Sequence, residues 1–211
     1  ISPTGTGKTL SGFLPSFFDL IDNKENIHKL HTLYISPLKS LTYDIERNLL
    51  EPIRGFKLDI SIQSRTGDTN YTKKKNQLVK QPQILATTIE SFVLLMSQTK
   101  FKEIFSNLKF LIIDEVHSIA NTKRGELLSL NLSRLKVINN NFRKILLSAT
   151  ISNPRIIMDY FGLNNSKSIN SNFTKKTNLK IVKAKKKIPW SGYMADYAIE
   201  EIYKIVKENI R

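Results

Sequence analysis

The sequence predicts an α/β domain, a mostly parallel sheet flanked by helices, and three observations carry that reading. Short β-branched runs alternate with amphipathic stretches from residue 8 to about residue 160. A Gly-Thr-Gly-Lys-Thr loop at residues 5–9 opens the first helical stretch. The apolar run Phe110-Leu111-Ile112-Ile113 delivers two carboxylates, Asp114 and Glu115, at its C-terminal end, where open α/β sheets bind their ligands.

Strands are expected at residues 32–35, 59–63, 83–87, 110–113 and 144–147, each ending at polar or small residues. Helices are expected between them at 8–20, 40–50, 73–79, 89–97, 124–138 and 155–160. In the second of these, Leu41, Ile45 and Leu49 share a face, with Asp44, Glu46 and Arg47 turned away from it. Residues 161–190 hold eight Lys and no acidic residue, and read as an exposed linker with room for one short strand at 179–182. Helical periodicity returns over 194–210, where Ile199, Ile202, Ile205 and Val206 form a stripe that needs something to pack on. The expected organisation is a domain over 1–160, a linker over 161–190, and over 191–211 the first helix of a second domain.

At 211 residues and 24.2 kDa the chain is long enough for one well-packed domain with an appendage. Its 33 basic and 18 acidic residues give a net charge of +15, which suits a polyanionic partner such as nucleic acid. Only 8 of the basic residues are Arg, and the chain is crowded with Asn and Ile, so a compositional habit of the source reads equally well. Residues 161–211 contribute +7 and the first 160 residues +8, so bulk charge does not carry a case for nucleic acid. The lack of Cys excludes disulfides and thiolate metal sites and is compatible with a reducing interior. His28 and His31, with no carboxylate or Cys cluster beside them, read as surface or strand-edge residues before zinc ligands. No membrane span or secretory signal is legible, which predicts a cytoplasmic protein.

A phosphate-binding loop needs glycines so that its backbone can curl and aim N–H groups at phosphate oxygens, with a helix N-terminus behind them. Thr4, Gly5, Thr6, Gly7, Lys8 and Thr9 supply that pattern, with Ser2 standing where Gly or Ala is usual. Lys8 would neutralise the β- and γ-phosphates, and the Thr9 hydroxyl would ligate Mg²⁺. Asp114 would hold the same ion through water, and Glu115 would orient and deprotonate the attacking water. Lys8, Asp114 and Glu115 are therefore the expected catalytic set of a nucleoside triphosphatase. An acidic pair after a strand is by itself an ordinary surface feature; the loop upstream gives it meaning.

Asp114-Glu115-Val116-His117 followed by Ser148-Ala149-Thr150 resembles motifs II and III of the superfamily 2 helicases. Residues 34–41 resemble motif Ia, Arg65-Thr66-Gly67-Asp68-Thr69 looks like motif Ib, and Thr87-Thr88-Ile89-Glu90-Ser91 looks like motif Ic with Ile in place of the usual Pro. Together with Thr122-Lys123-Arg124-Gly125 and residues 147–154, these segments are most similar to the large helicase-related (Lhr) family, over residues 1–160, with a weaker echo at 189–194. The resemblance implies a RecA-like P-loop domain and an ATP-dependent DNA helicase moving 3′ to 5′ and associated with DNA repair. It implies that His117, Ser148 and Thr150 couple the ATP site to movement. It also implies that Ser36, Lys39, Thr66, Gly67 and Thr87 grip one DNA strand by its backbone, with Arg124 a nucleic-acid contact or a structural residue. A DEAD-box RNA helicase fits less well, because His117 replaces the final Asp.

Such a motor places ATP between two RecA-like domains, the second supplying arginine fingers. No Arg here takes that role, and the strand expected before the phosphate loop is represented by Ile1 alone. The expectation is a fragment of a longer helicase that does not turn over ATP by itself, with the sheet missing a central strand. A non-catalytic nucleic-acid-binding module and an RNA helicase remain as alternatives.

Overall fold

The computed structural model describes residues 1–2, 7–23, 29–55, 57–151, 153–163, 166–171 and 196–209. The chain divides into two units, Ile1–Phe173 and Thr174–Arg211. The division falls inside the Lys-rich stretch.

Among the described residues, five parallel strands build the first unit: β1 (Thr32–Ser36), β2 (Ile62–Arg65), β3 (Ile84–Thr88), β4 (Phe110–Ile113) and β5 (Arg143–Leu146). Their order across the sheet is β2-β3-β1-β4-β5. Because side chains alternate along a strand, Leu33, Ile35, Leu85, Leu111 and Ile113 face one way, and Tyr34, Ile84, Ala86 and Ile112 the other. Helices α4 (Ile89–Met96), α5 (Phe101–Phe105) and α7 (Lys123–Ile138) cover the first face. The second is covered by α1 (Lys8–Asp22) and α2 (Lys39–Gly55). Burial on both faces explains why these strands read as continuous apolar runs.

Helix starts follow side-chain caps. Asn70 caps α3 (Tyr71–Val79), Thr88 caps α4, Thr122 caps α7, and Asn153 caps α8 (Pro154–Tyr160), each accepting a backbone N–H of the first turn. At residues 123–125 the helix presses on the preceding chain: a Cβ built on Gly125 would stand 2.1 Å from the Ile119 carbonyl oxygen. Only glycine fits there.

Several elements differ from the sequence reading. The strand expected at 59–63 is shifted to Ile62–Arg65, because pairing to β3 sets Ile62 opposite Ile84 and Arg65 opposite Thr87. Helices α5 and α6 (Val116–Ile119) were not expected, at five and four residues being too short to show a period. His31 is buried just before β1, its Nε2 2.7 Å from Asp19 Oδ2 and its Nδ1 2.8 Å from Thr32 Oγ1. The expected strand at 179–182 and His28 lie outside the described residues. In the second unit a 3₁₀ turn at Asp196–Ala198 leads into α9 (Ile199–Asn209), whose Ile199, Ile202 and Val206 are exposed.

A backbone partner flanks residues 1–2 on each side. The Ser2 N–H donates to the Ser148 carbonyl at 3.1 Å, and the Ser171 N–H donates to the Ile1 carbonyl at 2.9 Å. Residues 1–2 thus run between the end of β5 and residues 169–171, beyond the edge of the five strands, whose pairing is continuous; the gap expected at a central position is not found among the described residues.

Candidate nucleotide and nucleic-acid sites

All five strands point the same way, so the loops following them gather along one edge of the sheet. The N-terminus of α1 lies at that edge too. Gly7, its cap, has φ +79°, a left-handed conformation that glycine adopts without steric cost. Lys8 and Thr9 follow as the first helical residues. Thr4, Gly5 and Thr6 lie outside the described residues.

Lys8 and Glu115, more than a hundred residues apart, meet here: Lys8 Nζ donates to Glu115 Oε1 at 3.3 Å. Glu115 holds a left-handed φ of +49° without being glycine, a strained backbone of the kind that concentrates at functional sites. Asp114 is nearly buried, 4% exposed, and both of its oxygens are engaged. Oδ1 accepts the Glu115 N–H at 2.8 Å, and Oδ2 accepts the Tyr34 hydroxyl at 2.7 Å. Burial, and then the neighbouring Asp114 charge, push the Tyr34 phenol far above its ordinary range, so it remains a neutral donor.

The His117 ring joins the two motif regions. Its Nδ1 lies 2.7 Å from Ser148 Oγ and 3.3 Å from Glu115 Oε2, and Ser148 Oγ donates onward to the Thr150 carbonyl at 3.2 Å. The backbone reinforces this, since the Val116 N–H donates to the Leu147 carbonyl at 3.1 Å. Of the expected nucleotide-site residues within the described chain, Lys8, Asp114, Glu115, His117 and Ser148 are joined in one cluster, with Thr9 next to Lys8.

Among the described residues no three His, Asp or Glu side chains are grouped to hold a metal. Mg²⁺ bound with a nucleotide takes one or two protein oxygens and completes its shell with phosphate and water. The Asp114 carboxylate and Thr9 hydroxyl are the right donors for it.

Residues expected to face nucleic acid divide into two sets. Lys39 and Gly67 are exposed, and Lys39 Nζ is held by both oxygens of Asp68 at 2.7 and 2.9 Å. The Asp68 contact holds the Lys39 ammonium above its ordinary pKa. Ser36, Thr66 and Thr87 are instead fully buried, and their hydroxyls work inside the protein. Thr87 Oγ1 donates to the Arg65 carbonyl at 2.8 Å, Thr66 Oγ1 lies 2.7 Å from the Tyr43 hydroxyl, and Ser36 Oγ accepts the Leu38 N–H at 3.4 Å. These three build the loops; the hydroxyls do not face solvent. Arg124 ties loops together: its Nε donates to Glu90 Oε1 at 2.7 Å and its Nη2 to the Pro37 carbonyl at 2.8 Å. Burial raises the Glu90 pKa, but the Arg124 hydrogen bond prevails and leaves it low.

Tyr34, Glu90 and Asp68 were not singled out as site residues from the sequence. Glu90 and Asp68 sit inside quoted motifs, and their acidic side chains among basic loops were the available signal. Tyr34 opens the segment resembling motif Ia, but as one apolar-flanked residue of a buried strand its hydroxyl gave no separate signal.

A family model described as DEAD/DEAH box helicase matches residues 1–157. The ATP-dependent helicase Lhr-Core of Saccharolobus solfataricus is 43% identical over 162 residues, covering 72% of this chain and 18% of that protein. The Lhr helicase/uracil glycosylase of Escherichia coli is 34% identical over 180 residues, covering 77% and 12%. Among solved structures, Mycobacterium smegmatis helicase Lhr bound to ssDNA and AMP-PNP superposes with a TM-score of 0.67 at 37% identity, covering 74% of this chain and 21% of that one. The DEAD-box helicase Mss116, bound to ssRNA and UDP-BeF, shares the fold at a TM-score of 0.69 and 21% identity, over 76% and 33% of the two chains. The chain spans about a fifth of the length of the first curated relatives it matches.

Proposed function

Because the chain belongs to the DEAD/DEAH box helicases and is similar to their Lhr members, we propose that it is the ATP-binding first motor domain of an ATP-dependent DNA helicase. The observation that carries this is the meeting of Lys8 with Glu115, beside Asp114, at the end of β4. A lysine at a helix N-terminus, a carboxylate for a metal and a second carboxylate that can act on water once its lysine turns to phosphate are what phosphoryl transfer asks of a protein.

Without nucleotide, the Lys8 ammonium rests against Glu115. When ATP binds, its phosphates take Lys8 and the N–H groups at the start of α1, and Glu115 is released toward the attacking water. Thr9 and, through water, Asp114 would hold Mg²⁺, which would supply charge stabilisation at the phosphoryl oxygens. Glu115 accepts the water proton, and His117, between Glu115 and Ser148, relays the change to β5 and Thr150. Lys39 and the exposed backbone around Gly67 hold one DNA strand by its phosphates, which permits movement without base readout. In this reading residues 161–190 link to a second motor domain beginning at 191–211, whose arginine fingers complete turnover. The Lhr neighbour bound to ssDNA and AMP-PNP supports DNA as the strand and ATP as the fuel.

Nucleotide binding tests the reading directly. The 211-residue chain is expected to bind a fluorescent ATP analogue with Mg²⁺, and Lys8→Ala to weaken that binding at least tenfold with single-stranded DNA binding retained. Equal nucleotide binding by the two proteins overturns it. Titration with matched DNA and RNA oligonucleotides separates a DNA motor from an RNA one.

A further inference from the structure

Tyr34 stands where the two halves of the nucleotide site converge. Parallel pairing sets it opposite Ile112. Asp114 is two residues further along the same chain, and so on the same face. That register carries the Tyr34 hydroxyl to Asp114 Oδ2 at 2.7 Å across 80 residues of sequence. On its other side the Tyr34 ring packs on Phe13, with centroids 5.5 Å apart. Phe13 lies on α1, the helix that begins with Lys8. One fully buried side chain therefore touches both the phosphate-loop helix and the carboxylate of β4.

A phenylalanine would fill the same space in the core. The hydroxyl is what a core position does not need, and its partner is a nearly buried carboxylate whose other oxygen is fixed by the Glu115 N–H. A carboxylate clamped at both oxygens presents its remaining lone pairs in one direction. We propose that Tyr34 is a positioning residue for the metal-facing carboxylate of Asp114, fixing its orientation relative to α1. The inference rests on the reading of Asp114 as the carboxylate that faces the magnesium ion of a bound nucleotide.

Tyr34→Phe in the 211-residue chain tests it, with Mn²⁺ as the metal probe. Mn²⁺ binding in the presence of AMP-PNP is followed by electron paramagnetic resonance, and metal-free nucleotide binding is measured in EDTA. Groups that orient a metal's ligands typically set its affinity by about 10- to 100-fold. The expected result is Mn²⁺ binding weakened at least tenfold, with metal-free nucleotide binding within about twofold of the parent. A residue that only filled the core would move both or neither, and that outcome overturns the proposal. Asp114→Asn is the control. If it loses Mn²⁺ and Tyr34→Phe does not, the proposal fails while the nucleotide-site reading stands; if Asp114→Asn binds Mn²⁺ as the parent does, that reading fails too. Should Tyr34→Phe not fold, Phe13→Leu loosens the ring without removing the hydroxyl, and unchanged Mn²⁺ affinity in that variant overturns the proposal equally.

Discussion

His117 Nδ1 and Ser148 Oγ lie 2.7 Å apart, joining α6, which follows β4, to the loop after β5 across 31 residues. The Ser148 hydroxyl is buried, so its hydrogen bonds are made inside the protein. In a double-mutant cycle of His117→Ala and Ser148→Ala, followed by urea unfolding, the pair is expected to show a coupling energy on the order of 1 kcal/mol. A coupling near zero would mean the contact does no work between the two loops.

Gly125→Ala tests the crowding at the start of α7. The added methyl would meet the Ile119 carbonyl oxygen at 2.1 Å and the Tyr160 hydroxyl at 3.1 Å, and backbone cannot yield as a side chain can. A loss of about 2–4 kcal/mol in unfolding free energy is expected. Ser118→Ala, which removes one exposed hydrogen bond to the Glu115 carbonyl, serves as a comparison within about 1 kcal/mol of the parent.

Acidification should destabilise the domain through His31. Burial lowers its pKa below the ordinary 6.5, against the raising effect of the Asp19 hydrogen bond, and Lys109 also faces the pair. The unfolded chain then takes up the proton first, so stability is full above pH 6.5 and falls as pH drops below it. Thermal midpoints should decline from pH 7 to pH 5, and His31→Gln should flatten that decline. Asp19, itself held low, adds a loss of the same sign only in stronger acid, below its ordinary 3.8.

Arg124 reaches Glu90 and the Pro37 carbonyl with a planar fork that a lysine lacks. Arg124→Lys keeps the charge but loosens the loops following β1 and β3. Affinity for a single-stranded DNA oligonucleotide, read by fluorescence anisotropy, is expected to fall about fivefold, the equivalent of one hydrogen bond. Its salt dependence should stay the same, because no phosphate contact is removed. If Arg124 instead serves DNA directly, Glu90→Ala frees it and raises affinity.

Much of the site is legible without coordinates. Gly7 is placed by the Gly-Thr-Gly-Lys-Thr pattern, Asp114 and Glu115 by the apolar run before them, and one helix starts at the expected residue 89, whereas those expected at 73, 124 and 155 start one or two residues earlier, where Asn70, Thr122 and Asn153 cap them. Each is a local effect, written within four or five residues. The roles of Ser36, Thr66 and Thr87 are not legible in this way. A hydroxyl at a strand end reads the same whether it faces solvent or turns inward, and packing against Tyr43 and the Arg65 carbonyl turns two of them in. The strand at 62–65 moved for a similar reason, because partner register outranked the local β-branched pattern.

Sequence by itself determined the fold class, the phosphate loop, the paired carboxylates and the family resemblance, since spacing and residue type encode them along the chain. Tertiary structure decided which side chains meet. Lys8 reaches Glu115, Tyr34 reaches Asp114 and Arg124 reaches Glu90 because parallel pairing in the order β2-β3-β1-β4-β5 brings distant strand ends to one edge. Contacts between residues 34 to 107 positions apart depend on that register, which no local window of the sequence contains.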